Sequence, residues 1–285
     1  MTGNTAFGGQ PLPDGVTCLE LALAVGKLTA LHAPAHETPR GTILVIPGFT
    51  GAKEDYVDLL ALLSEEGWDC WAYSQRGQAD SAAPAGVDAY LLADFAGDAI
   101  EVARLVGEGE PVHVLGHSFG GLVARAATIE SPDTFLSLTM LCSGPRGWGN
   151  LLPDPRPVIA AGGALALWAR DNPDLAQVPA DDLSATDARI RLRAARTSDE
   201  NLHSAAGILR TAADTTAELR ATGVPVHIIH GEFDDVWPIE WQRDNAIELG
   251  ATYSVIDGGG HCPQEDLPRP TAAQLLPFWS RSLVS

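Results

Sequence analysis

Val112-His113-Val114-Leu115 is a short apolar run that ends in Gly116-His117-Ser118-Phe119-Gly120-Gly121. A run this short and this apolar reads as a strand buried on both faces. A helical pattern follows from about Phe119 to Ile129, so the residues between form a strand-to-helix turn of the form G-x-S-x-G. In so sharp a turn, side chains at 116 and 120 would collide with neighbouring backbone, which is why glycine stands at both. The strained turn lifts the Ser118 hydroxyl into the open at the N-terminus of the next helix, where the dipole favours developing negative charge. With 29 glycines in the chain the pattern alone is a weak signal. Its place between a strand and a helix is what makes it specific.

Outward from this turn the same alternation recurs. Thr42 to Ile46, Trp68 to Tyr73 and Leu136 to Leu141 are short apolar runs, and Glu54 to Glu66 and Asp94 to Val106 read as helices between them. Nearer the N-terminus, Leu19, Leu21 and Leu23 alternate as in a half-buried strand, Gly26 supplies a turn, and Leu28 to Leu31 returns as the hairpin partner. The alternation stops at about Pro145, and no convincing strand follows until Val226 to Ile229. Then come a helix from Glu240 to Leu249, a strand from Thr252 to Ile256 and a last helix after Pro270. Apolar strands alternating with amphipathic helices imply βαβ units and a doubly wound, mostly parallel α/β sheet. The expected organisation is a core of residues 1–145 and 223–285, interrupted by a helical cap at 146–222. In such sheets chemistry collects at the carboxyl ends of the strands.

Composition narrows the function. The chain has 285 residues, 45% hydrophobic and 19% charged, with a formal net charge of -19. It can bury a large core, so it is not a disordered segment. Its acidity argues against nucleic acid, anionic membranes and polyanionic substrates. Only Lys27 and Lys53 are lysines, a compositional bias without functional weight. Cys18, Cys70, Cys142 and Cys262 show neither metal-ligand nor redox spacing, and a core this large needs no disulfides. Met1 to Gln10 lacks the basic start and apolar stretch of a signal peptide, and the Gly- and Pro-rich first residues read as a loose lead-in. The low-charge run Val158 to Ala169 is too short to span a bilayer. A cytoplasmic protein is expected.

A serine nucleophile needs a base, and the base needs an acid to orient it. On this kind of elbow the acid and then the histidine follow the serine in the chain. His230-Gly231-Glu232-Phe233-Asp234-Asp235-Val236-Trp237-Pro238 follows one strand, and Asp257-Gly258-Gly259-Gly260-His261 follows the next. The three glycines suggest a tight loop that lets His261 reach Ser118. His117, inside the elbow, His230, ahead of the acid loop, and His113 and His227, in strands, read as core or supporting histidines. Cys262 beside His261 reads as packing. The eight histidines form no metal-ligand spacing, and no glycine-rich loop has a nucleotide-binding fingerprint, so neither metal nor cofactor is expected.

Pro47-Gly48-Phe49-Thr50-Gly51, Gly116 to Gly121, Gly231 to Pro238 and Gly258 to His261, in this order, resemble the α/β-hydrolase fold superfamily. The resemblance runs from about residue 17 to the C-terminus, with the insertion as the cap. It implies Asp234 as the catalytic acid, with Glu232 and Asp235 as local rivals, and His261 as the base. It also implies an oxyanion hole made by the backbone N–H groups of Phe119 and Phe49. The family often has His-Gly where Pro47-Gly48 stands here; the donor is backbone, so the hole is not threatened. The activity implied is that of a carboxylesterase or monoacylglycerol-lipase-like enzyme, and the net charge of -19 favours a neutral or apolar small molecule as its substrate. Thioesters, lactones and carbon–carbon bonds remain open, as does ligand sensing on the same scaffold. Substrate choice is expected in the cap, where Pro157 to Trp168 can form an apolar wall and Trp148, Trp168 and Trp237 are candidate substrate contacts. Arg189, Arg193 and Arg196 share one helix face and could hold an acidic substrate if that face enters the pocket, but are expected to pair with Asp181, Asp182 or Asp187 and face water. The oligomeric state is left open.

Overall fold

The computed structural model describes residues 5–282 and contains one eight-stranded sheet with helices on both faces. The strands are β1 (Thr17–Leu23), β2 (Gly26–Ala33), β3 (Thr42–Ile46), β4 (Asp69–Tyr73), β5 (Val112–His117), β6 (Phe135–Leu141), β7 (Val226–Gly231) and β8 (Thr252–Ile256). They lie in the order β1-β2-β4-β3-β5-β6-β7-β8. β1 and β2 form an antiparallel hairpin, β2 is antiparallel to β4, and every later pairing is parallel. All residues of β5 and β7 are buried, which accounts for their apolar runs. In β1 only Leu21 is buried and Leu19 is 40% exposed. The helix layer reaches just the far end of this edge strand, where Glu101 accepts the Ala24 N–H at 3.1 Å.

Helices α1 (Val57–Glu65), α2 (Leu92–Val106) and α3 (Phe119–Glu130) connect the first strands. Between β6 and β7 the chain forms α4 (Arg156–Asp171), α5 (Ala185–Arg196), α6 (Asp199–Thr211) and α7 (Thr216–Thr222). After β7 come α8 (Ile239–Leu249), the single-turn α9 (Pro263–Asp266) and α10 (Pro268–Ser282). α1 and α10 cover one face of the sheet, and α2, α3, α7 and α8 the other. α7 packs on α3 and α8, so the helices that form a separate layer in the insertion are α4 to α6. The apolar run in α4 is broken at Gly162 and Gly163, and Asp199 caps the restart by accepting the Ala164 N–H at 2.7 Å. Ile159, Leu167 and Leu202 then pack as a small core of their own.

The lead-in is ordered where it is described. Phe7–Gly9 makes a 3-10 turn against α5, and the Phe7 N–H donates to Glu54 at 3.2 Å. Residues 1–4, on which part of the lead-in and signal-peptide readings falls, lie outside the described residues. Cys18, Cys70, Cys142 and Cys262 are free thiols. Among the described residues no helix is long and apolar enough to cross a membrane.

Two strand histidines make stability depend on pH. His113 bonds Ser137 Oγ at 2.7 Å and His227 bonds Ser254 Oγ at 3.0 Å, and both rings are buried. Burial lowers each from 6.5 to about 4, with the Arg281 charge adding to the effect at His227. The folded state therefore resists protons that the unfolded chain accepts. Their contribution is full above 6.5 and is lost as pH falls from there to about 4. Between pH 7 and pH 5 the expected loss is ~3–4 kcal/mol for the pair. A His113→Gln/His227→Gln variant whose urea midpoint changes between those pH values by as much as the wild type's would contradict this.

Candidate active site

Ser118 joins β5 to α3 with φ 53° and ψ -118°. Such a conformation costs a non-glycine residue about 1–3 kcal/mol unless its surroundings enforce it. Here they do. The Ser118 N–H donates to Leu141 O at 2.9 Å, and the Ser118 carbonyl accepts Gly121 N–H at 2.9 Å and Ser143 Oγ at 2.8 Å. A Cβ at Gly116 would lie 2.2 Å from Gly120 O, and one at Gly120 would lie 2.2 Å from Ile46 O. The elbow thus wedges against the end of β3 and admits glycine alone at both places.

His261 Nε2 lies 3.0 Å from Ser118 Oγ, and His261 Nδ1 lies 2.8 Å from Asp234 Oδ1. The three residues stand after β5, β7 and β8, so the parallel sheet itself brings together positions far apart in the chain. Asp234 is 6% exposed. Burial alone would raise its pKa. The hydrogen bond and charge of His261, the Gln242 side-chain bond at 2.8 Å and the Val236 N–H at 3.1 Å outweigh burial and hold it below the usual carboxylate value. Of its rivals, Glu232 accepts the Gly258 N–H at 2.9 Å and so pins the glycine loop, while Asp235 is exposed.

His117 does more than fill the elbow. Its Nε2 donates to the His261 carbonyl at 2.8 Å, so the ring carries its proton there and ties the His261 loop to β5. Burial, then the nearby His261, pushes the pKa of His117 down to about 3. No motif advertised this contact, because it depends on the loop's path after β8. His230 is held in place by Gly231 O at 2.7 Å and Tyr253 Oη at 2.6 Å. Ligand atoms of His117, Cys142 and His261 come within 4.8 Å of one another. Both nitrogens of His261 and one of His117 are engaged in hydrogen bonds to protein groups.

Ser118 and His261 open into a cavity of about 590 Å³. Phe49, Trp148, Leu152 and Val236 supply apolar wall, while Asp55, Asp171, Arg193 and Glu265 supply charged groups. Phe49 stands in the loop after β3, and Phe119 is the first residue of α3. The Phe119 ring is buried against Phe95 at 5.2 Å and does not line the cavity. Trp148 is a wall residue. Trp237 is not: it is buried behind Trp148, with ring centroids 5.0 Å apart, and its Nε1 donates to Arg146 O at 3.0 Å. Trp168 lines a neighbouring chamber of about 130 Å³, which shares Thr50, Asp171 and Arg193 with the main cavity. Cys262 lines the main cavity, and burial together with Glu265, Asp55 and Asp266 pushes its thiol up to about 12.

The arginine face of α5 corrects the expectation of a solvated stripe. Arg193 does not pair with Asp181, Asp182 or Asp187; it turns inward to Asp55 and enters the cavity. Arg189 lies against the Phe7–Gly9 turn, and only Arg196 is exposed. The helical spacing does put the three on one face, but that face packs on the lead-in and the segment before α1. Asp187 is used locally at the start of α5, bonding Ser184.

A family model described as "Alpha/beta hydrolase family" matches residues 43–274. A proposed carbamate hydrolase, RutD, of Caulobacter sp. (strain K31) is 26% identical over 274 residues, covering 90% of this chain and 97% of that protein. The corresponding protein of Variovorax paradoxus (strain S110) is 32% identical over 113 residues, and the match spans 39% of this chain and 41% of that protein. A solved structure from a study of carboxylesterases of Nitrososphaera gargenis has a TM-score of 0.75 at 20% identity, covering 93% of this chain and 98% of that one. At that identity the likeness is one of fold.

Proposed function

Because the chain belongs to the alpha/beta hydrolase family, we propose that it is a serine hydrolase that cleaves carboxylic esters of small or medium acyl compounds. One observation carries this reading: Ser118 Oγ, His261 and Asp234 form an unbroken hydrogen-bonded line, 3.0 Å and 2.8 Å long, whose serine end faces the cavity. His261 Nε2 takes the hydroxyl proton as Ser118 Oγ bonds to the ester carbonyl carbon. The carbonyl oxygen becomes an oxyanion and accepts the N–H groups of Phe49 and Phe119. His261 returns the proton to the leaving alkoxide, leaving an acyl-enzyme. A water, deprotonated by His261, bonds to the acyl carbon, and His261 returns that proton to Ser118 Oγ as the bond to the serine breaks and the acid leaves. Asp234, ionised throughout, holds the Nδ1 proton and compensates the imidazolium.

The cavity volume of about 590 Å³ supports a small or medium substrate. Its apolar wall supports a neutral acyl or alkyl group. Arg193 reaches the cavity already paired with Asp55, so it favours a neutral polar substituent over a free carboxylate. Four free thiols fit a reducing compartment such as the cytoplasm. The reading is tested with a fluorophosphonate and a series of p-nitrophenyl esters from acetate to octanoate. Turnover of the shorter esters and one adduct, located at Ser118 by peptide mass, are expected. Absence of both turnover and adduct would sink it.

A further inference from the structure

The Phe49 N–H donates to no oxygen of the described residues. Its direction is set from the other side of its own peptide. In a planar trans peptide the N–H points opposite to the preceding carbonyl, so whatever holds the Gly48 carbonyl also aims the Phe49 N–H. That carbonyl accepts Gln78 Nε2 at 2.7 Å and, over a longer 3.3 Å, the Gly51 N–H of its own turn, and the Pro47 carbonyl accepts Gln75 Nε2 at 2.9 Å. Both glutamines are 1% exposed. Gln78 cannot turn its amide over without loss, because its Oε1 accepts the Gln75 N–H at 2.9 Å. The peptide is also in the right place: a Cβ built on Gly48 would lie 3.4 Å from Ser118 Cβ.

The segment that carries the two glutamines is itself braced. Arg76 forms a two-pronged pair with Asp98 at 2.7 Å for each bond. The insertion holds the same segment through Ser198 N–H to Gly77 O at 2.8 Å, Ala79 N–H to Thr197 Oγ1 at 3.3 Å, and Asn201 Nδ2 to Arg76 O. A rigid support of this kind is what keeps a small catalytic geometry from loosening. A loop peptide without it can rotate, and its N–H then no longer meets the oxyanion.

We propose that Gln78, seconded by Gln75, is a positioning residue for the oxyanion hole: it fixes the Gly48–Phe49 peptide so that the Phe49 N–H faces the oxygen of the carbonyl attacked by Ser118. This rests on the serine-hydrolase reading. Gln78 touches no reacting atom. Its effect falls on the transition state, in which the oxygen carries charge, and hardly on the neutral ground state.

The test uses the full chain and a p-nitrophenyl ester that the wild type turns over. Gln78→Glu keeps the shape and the acceptor for the Gln75 N–H but sets a carboxylate oxygen against the Gly48 carbonyl. At pH 8 its kcat is expected to fall roughly 10- to 100-fold, less than for outright loss of a donor, with KM held within about threefold. The deficit relative to wild type narrows as pH falls, because the protonated carboxyl donates again. Gln78→Met removes the donor without adding a titrating group, so its deficit is the same at every pH; it also serves if the carboxyl variant fails to fold. Affinity for phenylboronic acid, which binds as a tetrahedral anion, should drop by the same factor as kcat. Folded variants with wild-type kcat, or a loss that appears in KM alone, overturn the proposal. A wild type with neither ester turnover nor a Ser118 adduct overturns it together with the reading beneath it.

Discussion

Ser118→Ala is expected to lower kcat on p-nitrophenyl esters by roughly 10⁴- to 10⁶-fold, the range found when a serine nucleophile is removed from an intact triad. The structure gives reasons for an effect on chemistry alone. Ser118 Oγ bonds His261 and no other described group, so alanine leaves no buried partner stranded. The bonds that enforce the unusual backbone at 118 all use its main chain, and alanine keeps them. The thermal midpoint should therefore stay within a degree or two of wild type, because the one partner lost, His261 Nε2, faces the cavity and can turn to water there, a change of roughly ±0.5 kcal/mol. KM should change little, since the cavity walls remain. On the proposed mechanism, the residual rate would come from the Phe49 and Phe119 amides and from substrate positioning. Cys262 cannot take over, with its thiol pushed up to about 12. A variant that keeps a tenth of wild-type turnover, or still takes up fluorophosphonate, would mean that another group attacks.

The strands were legible because parallel strands buried on both faces need short apolar runs, and such runs between glycine-marked turns have few other readings. Thr42–Ile46 and Thr252–Ile256 lie where the pattern puts them. Ser118, Asp234 and His261 could be singled out as candidates because each follows such a run, at the strand ends where side chains converge. Arg193 was not legible in the same way. Helical spacing tells which residues share a face, but the partner that decides whether the face is wet is Asp55, 138 residues away. Trp148 and Trp237 differ for a similar reason. Both are large and apolar, and only the crossing of their two loops makes one the wall and the other its backing. Gln75 and Gln78 carry no periodic signal at all. The groups they bond are carbonyls of another loop, and polar residues after a strand usually mean a turn. The break in α4 depends on Asp199, which lies beyond the following helix.

Asp234→Asn is expected to lower kcat by roughly 10³-fold, somewhat less than the 10⁴ seen where the same exchange forces the wrong histidine tautomer. The reason lies in Gln242. Asp234 Oδ1 accepts from His261 Nδ1 and the Val236 N–H, while Oδ2 accepts from Gln242 Nε2 at 2.8 Å. An asparagine that keeps its oxygen toward His261 must turn its NH₂ toward Gln242. Two donors would then face each other, but Gln242 Oε1 has no partner among the described residues. Turning the Gln242 amide over offers that oxygen to the new NH₂ and forfeits only a 3.5 Å contact with Trp237 O. The Nδ1–H tautomer of His261, with Nε2 free to take the serine proton, is thereby preserved. What is lost is the negative charge that compensates the imidazolium in the transition state. Asp234→Ala loses both charge and orientation, so its kcat should lie at least about tenfold below that of Asp234→Asn, one lost hydrogen-bonding role at a buried site being worth ~1–3 kcal/mol. The double change Asp234→Asn with Gln242→Leu probes the same point. It removes the acceptor that keeps the asparagine NH₂ away from His261, so its kcat should fall below that of Asp234→Asn, toward the roughly 10⁴-fold loss of the wrong tautomer. Equal kcat values for Asp234→Asn and Asp234→Ala would mean that the asparagine does not hold His261 in place, and that Gln242 does not turn.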